Sequence, residues 1–93
     1  MMEMVELLMD VRKEIRCAEM YASEARKHRK EYPELSMAYG KISVEKLSHA
    51  EMLTRHAEMM ARKANMGDVW EVESAMIEKE MESARHAIDE RYK

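Results

Sequence analysis

Ile42-Ser43-Val44-Glu45-Lys46-Leu47-Ser48-His49-Ala50-Glu51-Met52-Leu53-Thr54-Arg55-His56 is the stretch on which the reading of this chain turns. It lies inside a longer helical stripe, Leu35, Ala38, Ile42, Glu45, His49, Met52, His56 and Met59, whose steps alternate between three and four residues. At about 100° per residue, Glu45, His49 and His56 span only about 40° of the helix circumference. The stripe therefore predicts a core-facing surface that carries three polar groups. Burying a carboxylate or an imidazole without partners is costly, so either a neighbouring element satisfies these groups or a metal does.

Composition agrees with long helices. The chain has 93 residues, with two Gly, one Pro and 38% charged side chains. That describes one small all-α domain, near the size at which a single core is only marginally stabilising. No apolar run reaches membrane-spanning length and no basic-then-apolar leader is present, so a soluble, cytoplasmic protein with no membrane partner is expected. A single cysteine, Cys17, permits no intramolecular disulfide and fits a reducing compartment. With no Phe and twelve Met, the core is expected to pack loosely, which favours assembly into an oligomer over a rigid monomer.

Charge is unevenly placed. Residues 1–31 carry seven basic and seven acidic side chains, whereas residues 68–93 carry four basic and eight acidic, which accounts for the net charge of −3. A nucleic-acid binder would be basic overall or striped on one face, so nucleic acid is not an expected partner. The run Arg26-Lys27-His28-Arg29-Lys30 reads as cations complementing the negative end of the first helix dipole. A patch for an anionic partner is the alternative.

Two breaks divide the chain into three helices, over roughly 2–31, 34–65 and 68–92. Pro33 ends the first, because proline disfavours α geometry in the residue before it and is tolerated at a helix start. Asn65-Met66-Gly67-Asp68 ends the second, with Gly67 expected as a left-handed cap and Asp68 with Glu71 as a capping box for the third. The first helix has a seam at Met4, Leu8, Val11, Ile15, Ala18, Ala22 and Ala25, flanked by a second line at Leu7, Glu14, Tyr21 and His28. The second helix has a further apolar line at Ala50, Leu53, Ala57, Met60 and Ala64, and the third has one at Trp70, Ile77, Met81, Ala84 and Ile88. Breaks this short force the first two helices into an antiparallel hairpin. Helix 3 folds back on it or reaches into a partner chain. Gly40, inside the second helix, costs about 1 kcal/mol relative to Ala and marks a close contact or a kink beside Tyr39.

In such a hairpin Glu14 and His49 stand within about one helical turn of the same height. Glu14 borders the seam and can approach Glu45 and His49. Carboxylate and imidazole from facing helices are how bundle proteins build iron or manganese sites. A metal-free polar network, or a simple Glu45–His49 ion pair along one helix, is the competing reading. His56 is a weaker candidate ligand on the same stripe, and His28, His86 and Cys17 lack company that would single them out.

The stretch from Tyr39 to Leu53 resembles the second helix of ferritin-like and rubrerythrin-like proteins, in which a Glu-x-x-His pair is followed by small and apolar residues. Glu14 with Tyr21 is similar to the ligand Glu and nearby Tyr of that family's first helix. The likeness covers residues 8–62 or so and extends to short bacterial and prophage-encoded members, which resemble half of a four-helix bundle. It implies a homodimer that completes the bundle, and a metal site of Glu14, Glu45 and His49, with His56 beside it, holding iron or manganese. The chain departs from the pattern at Lys46, three before His49, where the family has its bridging Glu. A lysine ammonium repels a dication and donates where a ligand must accept, so the departure implies a degenerate site.

Two functions follow as expectations. The first is a non-catalytic ferritin-like assembly or interaction protein. The alternative is a metal-binding protein of di-iron type that oxidises or stores iron at a dimer interface. The lines at Ala50–Ala64 and Trp70–Ile88 are the expected interface, with helix 3 covering the core or swapping over it.

Overall fold

The structure, a computed structural model, describes residues 2–93, and all three helices are present: α1 (Met2–His28), α2 (Pro33–Lys63) and α3 (Gly67–Asp89). There is no strand among the described residues. The helices run up, down and up in an elongated body of 51 × 19 × 14 Å. At one end Trp70 packs with Met4, Ala57 and Ala61. At the other end of α3, Tyr92 reaches Gly40. Helix α3 therefore folds back along α1 within its own chain, and the hairpin tip extends past it.

The seam of α1 is as its spacing predicts. Met4, Val11, Ile15, Ala18, Ala22 and Ala25 are buried and Leu8 is half-buried. The line of α3 is also correct, since Trp70, Ile77, Met81, Ala84 and Ile88 are all buried. Its expected role is not. Together with Val11, Ile15, Leu47 and Ala50, the lower part of that line forms the chain's own core, so neither it nor the line from Ala50 to Ala64 is free to serve as an interface. Only Ala64 of the latter line is exposed.

The larger correction concerns α2. Its buried face is Ser36, Gly40, Ser43, Leu47, Ala50, Ala57 and Ala61. The stripe expected to face the core points outward, with Leu35, Ala38, Glu45, His49, Met52, His56 and Met59 exposed and Ile42 half-buried. The cause lies on α1, whose seam narrows to Ala18, Ala22 and Ala25. A close approach needs small side chains on both helices, because interaxial distance is set by the residues at the contact. Ser36 and Ser43 supply them and are fully buried. The Ser36 hydroxyl donates to the Ala25 carbonyl at 2.5 Å, a side-chain bond that ties the first turn of α2 to the last turn of α1. The Ser43 hydroxyl donates within α2 to the Gly40 carbonyl at 2.6 Å.

The connection between α2 and α3 is capped by a different residue from the one expected. Asn65, not Gly67, adopts positive φ, at 56°. Its backbone N–H donates to the Arg62 carbonyl at 3.2 Å and that of Met66 donates to the Ala61 carbonyl at 2.8 Å. This pair of bonds is a Schellman termination with asparagine in the left-handed position. It tucks Met66 against the Ala61 cluster, so Gly67 is left to begin α3. The expected Asp68–Glu71 capping box does not form. Met66 is the N-cap, without a side-chain cap, and Asp68 lies in the first turn, where its charge complements the dipole.

Gly40 is explained by the chain's end. A Cβ at this position would lie 2.6 Å from the ring carbon of Tyr92 that bears the hydroxyl. The hydroxyl end of the ring meets α2 at Gly40, and its hydroxyl donates to the Met37 carbonyl at 3.3 Å. Alanine in mid-helix gains about 1 kcal/mol over glycine. Gly40→Ala is therefore expected to stabilise the Tyr92→Ala variant by about that amount and the native chain by clearly less. Urea unfolding of the four proteins in a double-mutant cycle measures the difference. Simple additivity would mean that the ring does not rest on Gly40.

Two arginines tie α3 to the hairpin. Arg12 of α1 donates to Glu73 at 2.9 Å and to Glu80 at 3.3 Å. Arg85 of α3 donates to Glu78 at 2.8 Å, to Glu82 at 3.2 Å and across to Glu51 of α2 at 3.4 Å. The hydrogen bond to Glu73 raises the pKa of Arg12 above its ordinary value, and the bond to Glu78 does so for Arg85. Both already carry a full charge over the working pH range. The acidic excess of the last segment is thus spent partly on holding α3 in place.

Candidate functional site

The second line of α1 forms one wall of a seam with α2. Leu7, Glu14, Tyr21 and His28, spaced by seven residues, are all half-buried beside the core. The opposite wall comes from Tyr39 and Lys46 of α2, also half-buried and seven residues apart. Side chains at that spacing share a helix face, so the seam carries a row of polar and aromatic groups.

At its centre, Glu14 Oε2 lies 3.4 Å from Lys46 Nζ. The same oxygen is closed off from solvent and has no hydrogen-bond partner, so the lysine contact is ionic without hydrogen-bond alignment. Glu14 Oε1 lies 3.8 Å from His49 Nδ1, beyond hydrogen-bond reach. The structure thus brings Glu14 and His49 together and puts Lys46 against the same carboxylate.

Glu45 goes elsewhere. It is exposed on the other flank of α2, where it lines an open groove of about 600 Å³ with Met37, Val44, Arg91 and Tyr92. Residues one apart on a helix differ by about 100°, and Lys46 has the direction toward Glu14 that Glu45 would need. His56 is exposed on the outward stripe. Among the described residues, no group of three or more His, Cys, Asp or Glu side chains converges on a point that could hold a metal. The residues present do not fit the iron or manganese site that the family likeness implies.

Nearer the hairpin tip the seam is aromatic. Tyr21 and Tyr39 stack with centroids 5.7 Å apart. The His28 ring lies 6.0 Å from Tyr39 and 6.1 Å from Tyr32. Its Nε2 is 3.2 Å from Glu24 Oε2. Sequence reading placed Tyr21 and His28 on one line but passed over their meeting with Tyr39 and Tyr32. The seven-residue step from Tyr39 to Lys46 was the signal available for it. Cys17 is half-buried and free.

Comparison with protein families, with curated proteins and with solved structures finds no match to this chain.

Proposed function

We propose that this chain is a non-catalytic helical assembly or interaction protein of ferritin-like type, working in the cytoplasm as a homo-oligomer, with a degenerate metal site. The observation that carries this reading is Lys46. Its ammonium stands 3.4 Å from the Glu14 carboxylate and supplies the charge compensation that a dication would otherwise give. A cation there repels a metal ion and cannot ligate it. The outward turn of Glu45 removes the second carboxylate, and the apolar residues left open on α2 supply a surface for assembly.

The alternative, a metal-binding protein with iron-oxidising or iron-storing activity at a dimer interface, draws on the 3.8 Å approach of His49 to Glu14. Anaerobic loading with ferrous iron, followed by desalting and metal analysis, separates the two. The native chain is expected to retain no iron above the buffer blank. Iron retained by the native chain and lost in His49→Ala would overturn the assembly reading. Lys46→Glu restores a carboxylate three residues before His49 and removes the repelling charge, so this variant is expected to gain measurable iron. In stability, Lys46→Ala should cost less than about 1 kcal/mol, the range of partly exposed ion pairs, as read by urea unfolding.

A further inference from the structure

Helix α2 is built inside out. Its buried face is mostly Gly, Ala and Ser, while several of its larger apolar side chains point away from the chain's core: Leu35, Val44, Met52 and Met59 are 40%, 44%, 49% and 64% exposed. The outward stripe from Leu35 to Met59 is about 36 Å long at 1.5 Å per residue. It keeps the three-and-four spacing of a coiled-coil seam over more than three heptads. Seven of its eight residues are exposed and only Ile42 is half-buried. The chain's own contacts with it are at its borders, Glu14 near His49 and Arg91 and Tyr92 across the groove from Glu45.

The polar residues of the stripe specify what fits it. Glu45 and His49 flank its midpoint, and Glu45 has no ion-pair partner among the described residues. Laid antiparallel on a second copy of itself about that midpoint, the stripe pairs Leu35 with Met59 of the second copy, Ala38 with His56, Ile42 with Met52, and Glu45 with His49. A two-fold axis then makes each pair twice. Laid parallel, every residue would meet itself, with Glu45 against Glu45 and His49 against His49. Like groups facing each other select against that arrangement. The Glu45–His49 pairing thus suits a second copy of the same stripe and favours the antiparallel direction over the parallel one.

We infer that two copies of this chain associate through α2 in antiparallel register, with reciprocal Glu45–His49 pairs on either side of the two-fold axis. This rests on the assembly reading above and gives it a surface. His49 keeps the Glu14 carboxylate of its own chain as a second neighbour, at 3.8 Å, so two carboxylates flank each imidazole across the interface. Lys41 borders the stripe on the side where the same register places Arg55 of the second copy. That is a repulsive contact, and Lys41→Glu would reverse it.

Sedimentation equilibrium and oxidative cross-linking test the inference on the full chain. Glu45→Lys and His49→Glu are each expected to weaken the dimer at least tenfold, and combining them in one chain should recover most of the loss. Lys41→Glu should tighten it. Circular dichroism confirms that each variant keeps its helices. In a Cys17→Ser background, Ala38→Cys combined with His56→Cys should cross-link efficiently, while either cysteine alone should not. A dimer that ignores the charge variants, or one that cross-links through a single cysteine, would overturn the antiparallel register and leave the assembly reading standing. A monomer at high micromolar concentration would overturn both.

Discussion

Ile77→Ala is expected to lower the unfolding free energy by about 2–5 kcal/mol, the usual cost of emptying a closed aliphatic site, and to release α3 while the hairpin persists. Ile77 is 1% exposed and, among the described residues, is the largest side chain that the fold buries completely. It sits midway along the single apolar line by which α3 reaches the hairpin. The other members are Trp70 at one end, and Met81, Ala84 and Ile88 toward the other. A domain of this length has roughly 5–14 kcal/mol of total stability, so the loss is a large share. The polar ties at Arg12 and Arg85 will not replace it, because partly exposed pairs contribute little individually. Native-state hydrogen exchange gives the decisive pattern. Amides of residues 70–88 should lose protection well before those around Ala18 and Ala50. Uniform loss along all three helices would show that α3 and the hairpin form one cooperative unit.

Ala22→Leu should destabilise by about 1–3 kcal/mol, although it adds apolar surface to an apolar site. Ala22 is 1% exposed on the part of α1 whose other seam residues are Ala18 and Ala25. The facing surface of α2 offers Ser36, Gly40 and Ser43, residues chosen for their lack of volume. Three added carbons have no cavity to enter, so they must part the helices or take a strained rotamer. Parting the helices would also stretch the 2.5 Å bond from Ser36 to the Ala25 carbonyl. A fall in the urea midpoint with an unchanged slope would match this account. A rise would mean that the seam holds unused space.

The course of this chain was largely legible in its residues. Pro33 and the Asn65–Asp68 stretch separate the helices where the spacing indicates, and the seams of α1 and α3 are buried as their periodicity implies. The helix ends run short of expectation, at His28 and Asp89. The left-handed cap fell to Asn65 because termination there lets Met66 pack, half-buried, against the Ala61 and Trp70 cluster, a tertiary gain that a residue-by-residue preference for glycine does not weigh.

What was not legible is which face of α2 points inward. The helix carries two periodic stripes, one large and apolar with Glu45, His49 and His56 in it, the other small. Hydrophobicity ranks the first as core. Packing ranks the second, because its partner on α1 is alanine, and the fit of two surfaces is a property of neither alone. The candidate site followed the same fault. With α2 turned, Glu14 still meets His49, but Lys46 replaces Glu45 beside it. Lys46 stood out in the sequence as a departure from the expected pattern, and in the structure it is the residue that stands against the Glu14 carboxylate.

The outward placement of methionine has a chemical consequence. Met9, Met37, Met52, Met59 and Met76 are each about half exposed or more, whereas Met4 and Met81 are closed off. Thioethers open to solvent are the first to become sulfoxides under peroxide, and enzymatic reduction restores them. Oxidation would therefore leave the interior of this chain intact and turn its soft outer apolar surface polar. The property that changes first under oxidative stress would be the polarity of the outer surface, well before the fold.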